Sequence, residues 1–175
     1  EGARTKDAFA YTVPGTADTL LTLATVPVTD RSQRTLSPLL WKPAARWIAS
    51  PQRAVVPTAP LDLVPTGKPG QFQVYFQGAP LPKAKVQMVA PSGWAREASS
   101  AEDGTVHFSL PWKGQYVAEV KHTDKTSGDF NGSKYGEVGY LITLSFVLHE
   151  GMASPALPPA PASHAKRYAA TAAGK

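Results

Sequence analysis

The amino-acid sequence predicts an all-β protein. The expected architecture is an antiparallel β-sandwich with an irregular Pro-rich N-terminal segment and an Ala/Pro-rich C-terminal tail. Two observations predict it. Between about residues 61 and 150, apolar and polar residues alternate in short runs, as half-buried strands require. The 175 residues also include 17 Pro and 14 Gly, a density of punctuation that suits short strands and turns better than long helices. A chain of this length is one domain, or one domain with appendages.

Three zones follow one another. In the first, residues 1–60, Thr19 to Val26 is rich in β-branched and apolar residues and reads as a strand joining one sheet. Pro38, Pro43, Pro51, Pro57 and Pro60 then leave no room for a long helix. One short turn around Ala44 to Ile48 is compatible with that spacing, and Trp41 and Trp47 are expected to pack the segment against the body.

The second zone, residues 61–150, carries the sandwich. Leu61 to Val64 is a short strand closed by Pro65. Phe72 to Gln77 alternates and stops at Gly78-Ala79-Pro80. Ala84 to Val89 alternates and stops at Pro91-Ser92-Gly93. Asp103-Gly104 is a hairpin turn signal before a strand at Thr105 to Leu110. Gln115 to His122 follows Pro111-Trp112-Lys113-Gly114, a polar loop spans Thr123 to Gly136, and the last strand is Gly139 to Leu148. Parity gives the core as Leu63, Val74, Phe76, Val86, Met88, Val106, Phe108, Leu110, Tyr116, Val120, Ile142, Leu144 and Phe146. Thr105–Leu110 and Gln115–His122 are expected to pair as a hairpin, and parity sets Leu110 opposite Tyr116, Phe108 opposite Ala118 and Val106 opposite Val120.

The third zone, residues 151–175, holds four prolines and nine alanines and buries little surface by itself. It reads as a linker or docking arm.

Several function classes are excluded or disfavoured. With no cysteine there is no disulfide, thiolate metal site or cysteine nucleophile. The net charge of +5 sits at the ends: +3 over residues 1–60, −1 over 61–150 and +3 over 151–175. No face or helix gathers the basic residues, so nucleic acid is not an expected partner. No apolar run is long enough for a transmembrane helix. The chain opens on Glu1, which leaves a removed leader or a preceding segment open. No nucleophile elbow, dinucleotide fingerprint, phosphate loop or His-Glu-x-x-His occurs, and no enzyme is expected.

One cluster invites a metal reading. His107 and His149 fall on outward parity, while His122 falls inward at a strand end, beside the Asp103-Gly104 turn. Glu102 and Asp103 share that end, and the following loop adds Asp124, Asp129 and Tyr135. One imidazole with carboxylates is an oxygen-rich set for a divalent ion. The expected ligands are His122, Asp103, Asp124 and Asp129.

The order of these motifs resembles a known pattern. Leu61-Asp62-Leu63-Val64-Pro65, Gly78-Ala79-Pro80-Leu81, Gly93-Trp94, Glu102-Asp103-Gly104 and Gly114-Gln115-Tyr116 follow one another as in an uncharacterised bacterial envelope family. That family is often labelled a periplasmic component of nickel or cobalt uptake. Its turns are shared more widely by transthyretin-like and carboxypeptidase-regulatory-like sandwiches, so the resemblance implies an immunoglobulin-like or transthyretin-like sandwich over about 61–150. It further implies a periplasmic or secreted protein, nickel or cobalt as the associated metal, and a protein partner in a transport system.

The reading that results is a non-catalytic binding or accessory module beside divalent-metal uptake. Its rival is a structural or assembly subunit whose Pro-rich termini dock neighbouring chains.

Overall fold

The alternation read from the sequence becomes two facing sheets in the computed structural model of the protein, which describes residues 17–156, Lys6 and the strand pair β1 (Ala3–Arg4) and β2 (Phe9–Ala10). The other strands are β3 (Thr19–Leu23), β4 (Val26–Thr29), β5 (Leu39–Ile48), β6 (Leu61–Pro65), β7 (Gln71–Phe76), β8 (Ala79–Pro80), β9 (Lys85–Val89) and β10 (Ala95–Ser99). They are followed by β11 (Thr105–His107), β12 (Gly114–Asp124), β13 (Gly128–Phe130), β14 (Ser133–Tyr135) and β15 (Glu137–Leu148). The described residues contain no α-helix, only a 3-10 turn at Ser32–Arg34.

The larger sheet has the order β10-β9-β12-β15-β5-β3, with β4 also paired to β5. The smaller has the order β11-β7-β6, with β8 on β7. Every pairing is antiparallel except β15 with β5, which is parallel. Tyr116, Ala118 and Val120 of β12 and Ile142, Leu144 and Phe146 of β15 face Leu61, Leu63, Phe72 and Val74 of the smaller sheet. Fully burying one such side chain stabilises the fold by about 1.5–3 kcal/mol. Of the predicted core, all but Phe76 and Leu110 are buried, and those two pack against its rim. Phe72, Leu40 and Ile48 belong to it as well.

Four expectations change. Thr105–Leu110 does not form a hairpin with Gln115–His122. β11 pairs with β7 in the smaller sheet, and β12 pairs with β15 and β9 in the larger. Parity survives: Val106 and Phe108 are buried, His107 is exposed and Tyr116, Ala118 and Val120 are buried. Inward parity states which face a residue takes, not which strand lies beside it, and two strands on opposite sheets satisfy it as well as two neighbours. Residues 108–113 cross between the sheets. Pro111, which has no amide hydrogen, interrupts ladder pairing there.

Ala44 to Ile48 is not a turn but the end of β5, an inner strand. Pro43 is tolerated because of where it stands. Its carbonyl accepts the Ala24 amide at 2.9 Å, so its missing donor points into the gap where β3 gives way to β4. Trp47 faces solvent rather than the body. Ala95–Ser99 is an unforeseen edge strand, and Arg96 and Glu97 are the kind of charge that blunts an edge. The loop Thr123 to Gly136 shortens: β12 runs on to Asp124, and β13 and β14 pair across Asn131-Gly132. Both turn residues have positive φ, 52° and 78°, as a two-residue hairpin of this type needs.

Beyond β15, Met152 donates its amide to the Pro111 carbonyl, and Lys113 donates to the Met152 carbonyl. The start of the third zone thus lies against the crossover.

Candidate functional site

An aromatic column leads from the core to one end of the sandwich. Phe72 stacks on Phe146 at 5.7 Å, and Phe146 stacks on Tyr116 at 5.5 Å and 10°. Tyr116 is fully buried, and its hydroxyl is held by the Trp112 backbone: it accepts from the amide at 3.0 Å and donates to the carbonyl at 2.9 Å. Burial raises the Tyr116 phenol above its ordinary pKa, against the weaker opposing effect of the Trp112 backbone bond. One strand side chain therefore fixes the crossover that carries Trp112.

Trp112 meets Trp94 edge to face, with ring centroids 6.1 Å apart and planes at 83°. Trp94 is 62% exposed, an uncommon position for the largest apolar side chain. Below the pair lies a cavity of about 50 Å³, lined by Met88, Phe108, Pro111 and Tyr116 together with the two indoles. Arg96 stands at its rim. Among the described residues, neither indole N–H has an acceptor and Arg96 has no carboxylate partner. The cleft is an apolar trough with unused donors around it, which suits binding. Across Phe108 and Ser109 a more open groove of about 260 Å³ carries His107 and Gln52.

The expected metal ligands are not gathered. His122 lies against the Phe76 ring, 4.3 Å between centroids. Asp103 accepts from the Thr105 hydroxyl at 2.6 Å and amide at 2.9 Å, and these bonds hold its carboxyl below the ordinary carboxylate range. Asp124 accepts from the Thr126 hydroxyl at 2.8 Å and amide at 3.1 Å, and Asp129 from the Gly132 amide at 2.8 Å. Glu102 faces Lys83 at 3.6 Å, and the Tyr135 ring packs on Gly128. Each of the three aspartates is thus engaged by its own turn. Among the described residues, no three His, Asp or Glu side chains are placed to hold one ion.

Residues 53–124 match a family described as a domain of unknown function, DUF4198. The match covers less than half of the chain and includes every residue that lines the cleft. It agrees with the resemblance to an uncharacterised domain family. No curated protein and no solved structure matches the chain.

Sequence reasoning missed Trp94, Trp112 and Arg96 as a site. A signal was present: both indoles occupy Pro/Gly turns, Pro91-Ser92-Gly93-Trp94 and Pro111-Trp112-Lys113-Gly114, outside the strand runs that fill a core.

Proposed function

We propose that the chain is a non-catalytic binding module whose binding face is the Trp94–Trp112 cleft. The observation that carries this reading is an exposed indole crossed with a second one over an apolar cavity, the second held at its backbone by Tyr116. Exposed aromatic surface with unused hydrogen-bond donors is typical of recognition sites. Accessory service beside nickel or cobalt uptake, a periplasmic or secreted location and a transthyretin-like topology rest on the sequence resemblance and belong to the same proposal. Metal is then handled by the partner system, since the predicted ligands serve turns here.

The test is nuclear magnetic resonance of the four indole N–H groups during titration with cyclohexanol and with maltotriose, as generic ring-shaped probes. Trp94 and Trp112 should shift, and Trp41 and Trp47 should not. Probes that leave Trp94 and Trp112 unmoved remove the cleft as a binding face.

A structural or assembly role is the second reading, and one observation favours it. Leu20, Trp47, Ser145, Val117, Val89 and Ala95 stand side by side across six strands on the outer face of the larger sheet. Leu20 and Trp47 are each 39% exposed. Apart from Ser145 the row is apolar, and outward apolar surface of this kind marks interfaces. Size-exclusion with light scattering tests it, with a monomer at all concentrations as the result against assembly.

A further inference from the structure

We propose that the Trp94–Trp112 cleft receives a proline-rich segment in extended polyproline conformation, and that this segment is the chain's own sequence from Pro158 to Pro161. The inference rests on the reading of the cleft as a binding face and names its occupant.

The chemistry of the cleft selects such a ligand. The two indoles meet edge to face and, with Phe108, Met88 and Pro111, line one apolar cavity. A pyrrolidine ring is flat, apolar and rigid, and packs on an indole face. A polyproline helix has no internal hydrogen bonds, so its carbonyls are free to accept. The indole N–H groups of Trp94 and Trp112 and the Arg96 guanidinium are donors without acceptors among the described residues. Proline-rich ligands lose little entropy on docking, because their backbone is ordered beforehand.

The sequence supplies a matching segment at the right place. Pro155, Pro158 and Pro161 recur every three residues, with Pro159 between. A helix of three residues per turn sets them along one edge, about 9 Å apart. Residues 151–163 carry no charge, so nothing in them opposes a rim bearing Arg96. The anchor is the second observation. Met152 is pinned to Pro111 and Lys113 by two backbone bonds, and its bridge partner is Trp112 itself. Pro158 stands six positions after Met152, a reach of up to about 20 Å. Tethering this close gives an effective concentration in the millimolar range, enough for a weak proline contact to form within one molecule. Pro155, which is exposed and does not line the cleft, lies in the tether, so Pro158 and Pro161 are the docking residues.

The experiment uses the full chain. Pro158, Pro159 and Pro161 are all replaced by alanine, a change outside the sandwich that leaves the fold intact. The expected result is a shift of the Trp94 and Trp112 indole resonances, with Trp41 and Trp47 unchanged. A synthetic peptide of residues 155–162, added to this variant, should return both resonances toward their original positions. Trp94→Ala in the same background should weaken that peptide effect, read at Trp112, by at least about tenfold. All of this should be independent of protein concentration. Indole resonances identical in the original and triple-substituted chains overturn the docking. A shift that grows with protein concentration assigns the segment to a neighbouring copy and overturns the intramolecular assignment. If the peptide leaves Trp94 and Trp112 unmoved while cyclohexanol or maltotriose shifts them, the proline occupant is wrong and the cleft stands. If none of them shifts, both readings fall.

Discussion

Removing the charge of Asp62 is expected to be among the most damaging single-atom changes available in this chain. Asp62 and Arg46 are 0% and 2% exposed, one in the smaller sheet and one in the larger. Arg46 donates to both Asp62 oxygens, at 2.9 Å and 2.6 Å, and the same carboxylate accepts the amides of Thr58, Ala59 and Leu63 at 2.8–3.0 Å. Arg46 is completed by the hydroxyls of Thr19 and Thr58. Asp62→Asn keeps the shape but leaves a buried cation without its counter-ion, a change that costs about 3–5 kcal/mol in comparable pairs. For a chain of this size, each kcal/mol shifts the melting temperature by about 2–4 °C, so the expected fall is roughly 6–20 °C. Urea unfolding followed by tryptophan fluorescence and far-ultraviolet dichroism gives the free energy directly. The slope should stay the same if only stability has changed. Adding Arg46→Met to Asp62→Asn removes the orphaned charge and should recover part of the loss, since the Asn oxygen still accepts from the backbone. Arg46→Met with Asp62→Leu should recover less, because three amides lose their acceptor and each costs about 1–3 kcal/mol if it stays buried. The reasoning is refuted if Asp62→Asn lies within about 1 kcal/mol of the original chain, or if Arg46→Met gives it no relief.

Four further outcomes follow from the geometry. Gly70 has φ +67°, and a Cβ there would run into the Phe108 carbonyl, so Gly70→Ala should lose at least about 1–2 kcal/mol and change tryptophan emission by moving the cleft floor. Calorimetric titration of nickel or cobalt should show no binding that His122→Ala abolishes, and tight His122-dependent binding would restore the predicted site. Truncation after Glu150 should lower stability by about 1–2 kcal/mol relative to truncation after Ala156, because it removes the two Met152 backbone bonds, and equal urea midpoints would contradict this. Burial raises the phenol pKa of Tyr116 and of Tyr140, so their contribution to stability is complete below the unfolded value near 10 and is lost as pH rises through the folded values. Urea midpoints between pH 8 and pH 11.5 should therefore fall at the alkaline end, and Tyr116→Phe should flatten that fall.

Much of the fold was legible in residue order because strand parity is local. A side chain two residues along a strand returns to the same face, so Val106, Val120 and Ile142 could be assigned inward before any partner strand was known. Turns are local too, and Asp103-Gly104 and Asn131-Gly132 sit where their chemistry demands. Pairing is not local. Whether β12 lies beside β11 or beside β15 depends on which arrangement closes both sheets over one core, and parity is blind to it. The metal expectation meets the same limit: of His122, Asp103, Asp124 and Asp129, each aspartate finds its hydrogen-bond donor two or three residues away. Local bonds of that kind form at little entropic cost, whereas gathering distant carboxylates needs a reason to desolvate like charges.

The sequence by itself determined an all-β chain, its turn positions, its core faces and the absence of cysteine chemistry, because each follows from neighbours a few residues apart. Only the tertiary structure decided that Arg46 and Asp62, on opposite sheets, share one buried ion pair. It alone brought Trp94 and Trp112, 18 positions apart, over one cavity. Those contacts join segments whose separation along the chain is filled by other strands, and no pattern within a single strand records which distant strand will lie beside it.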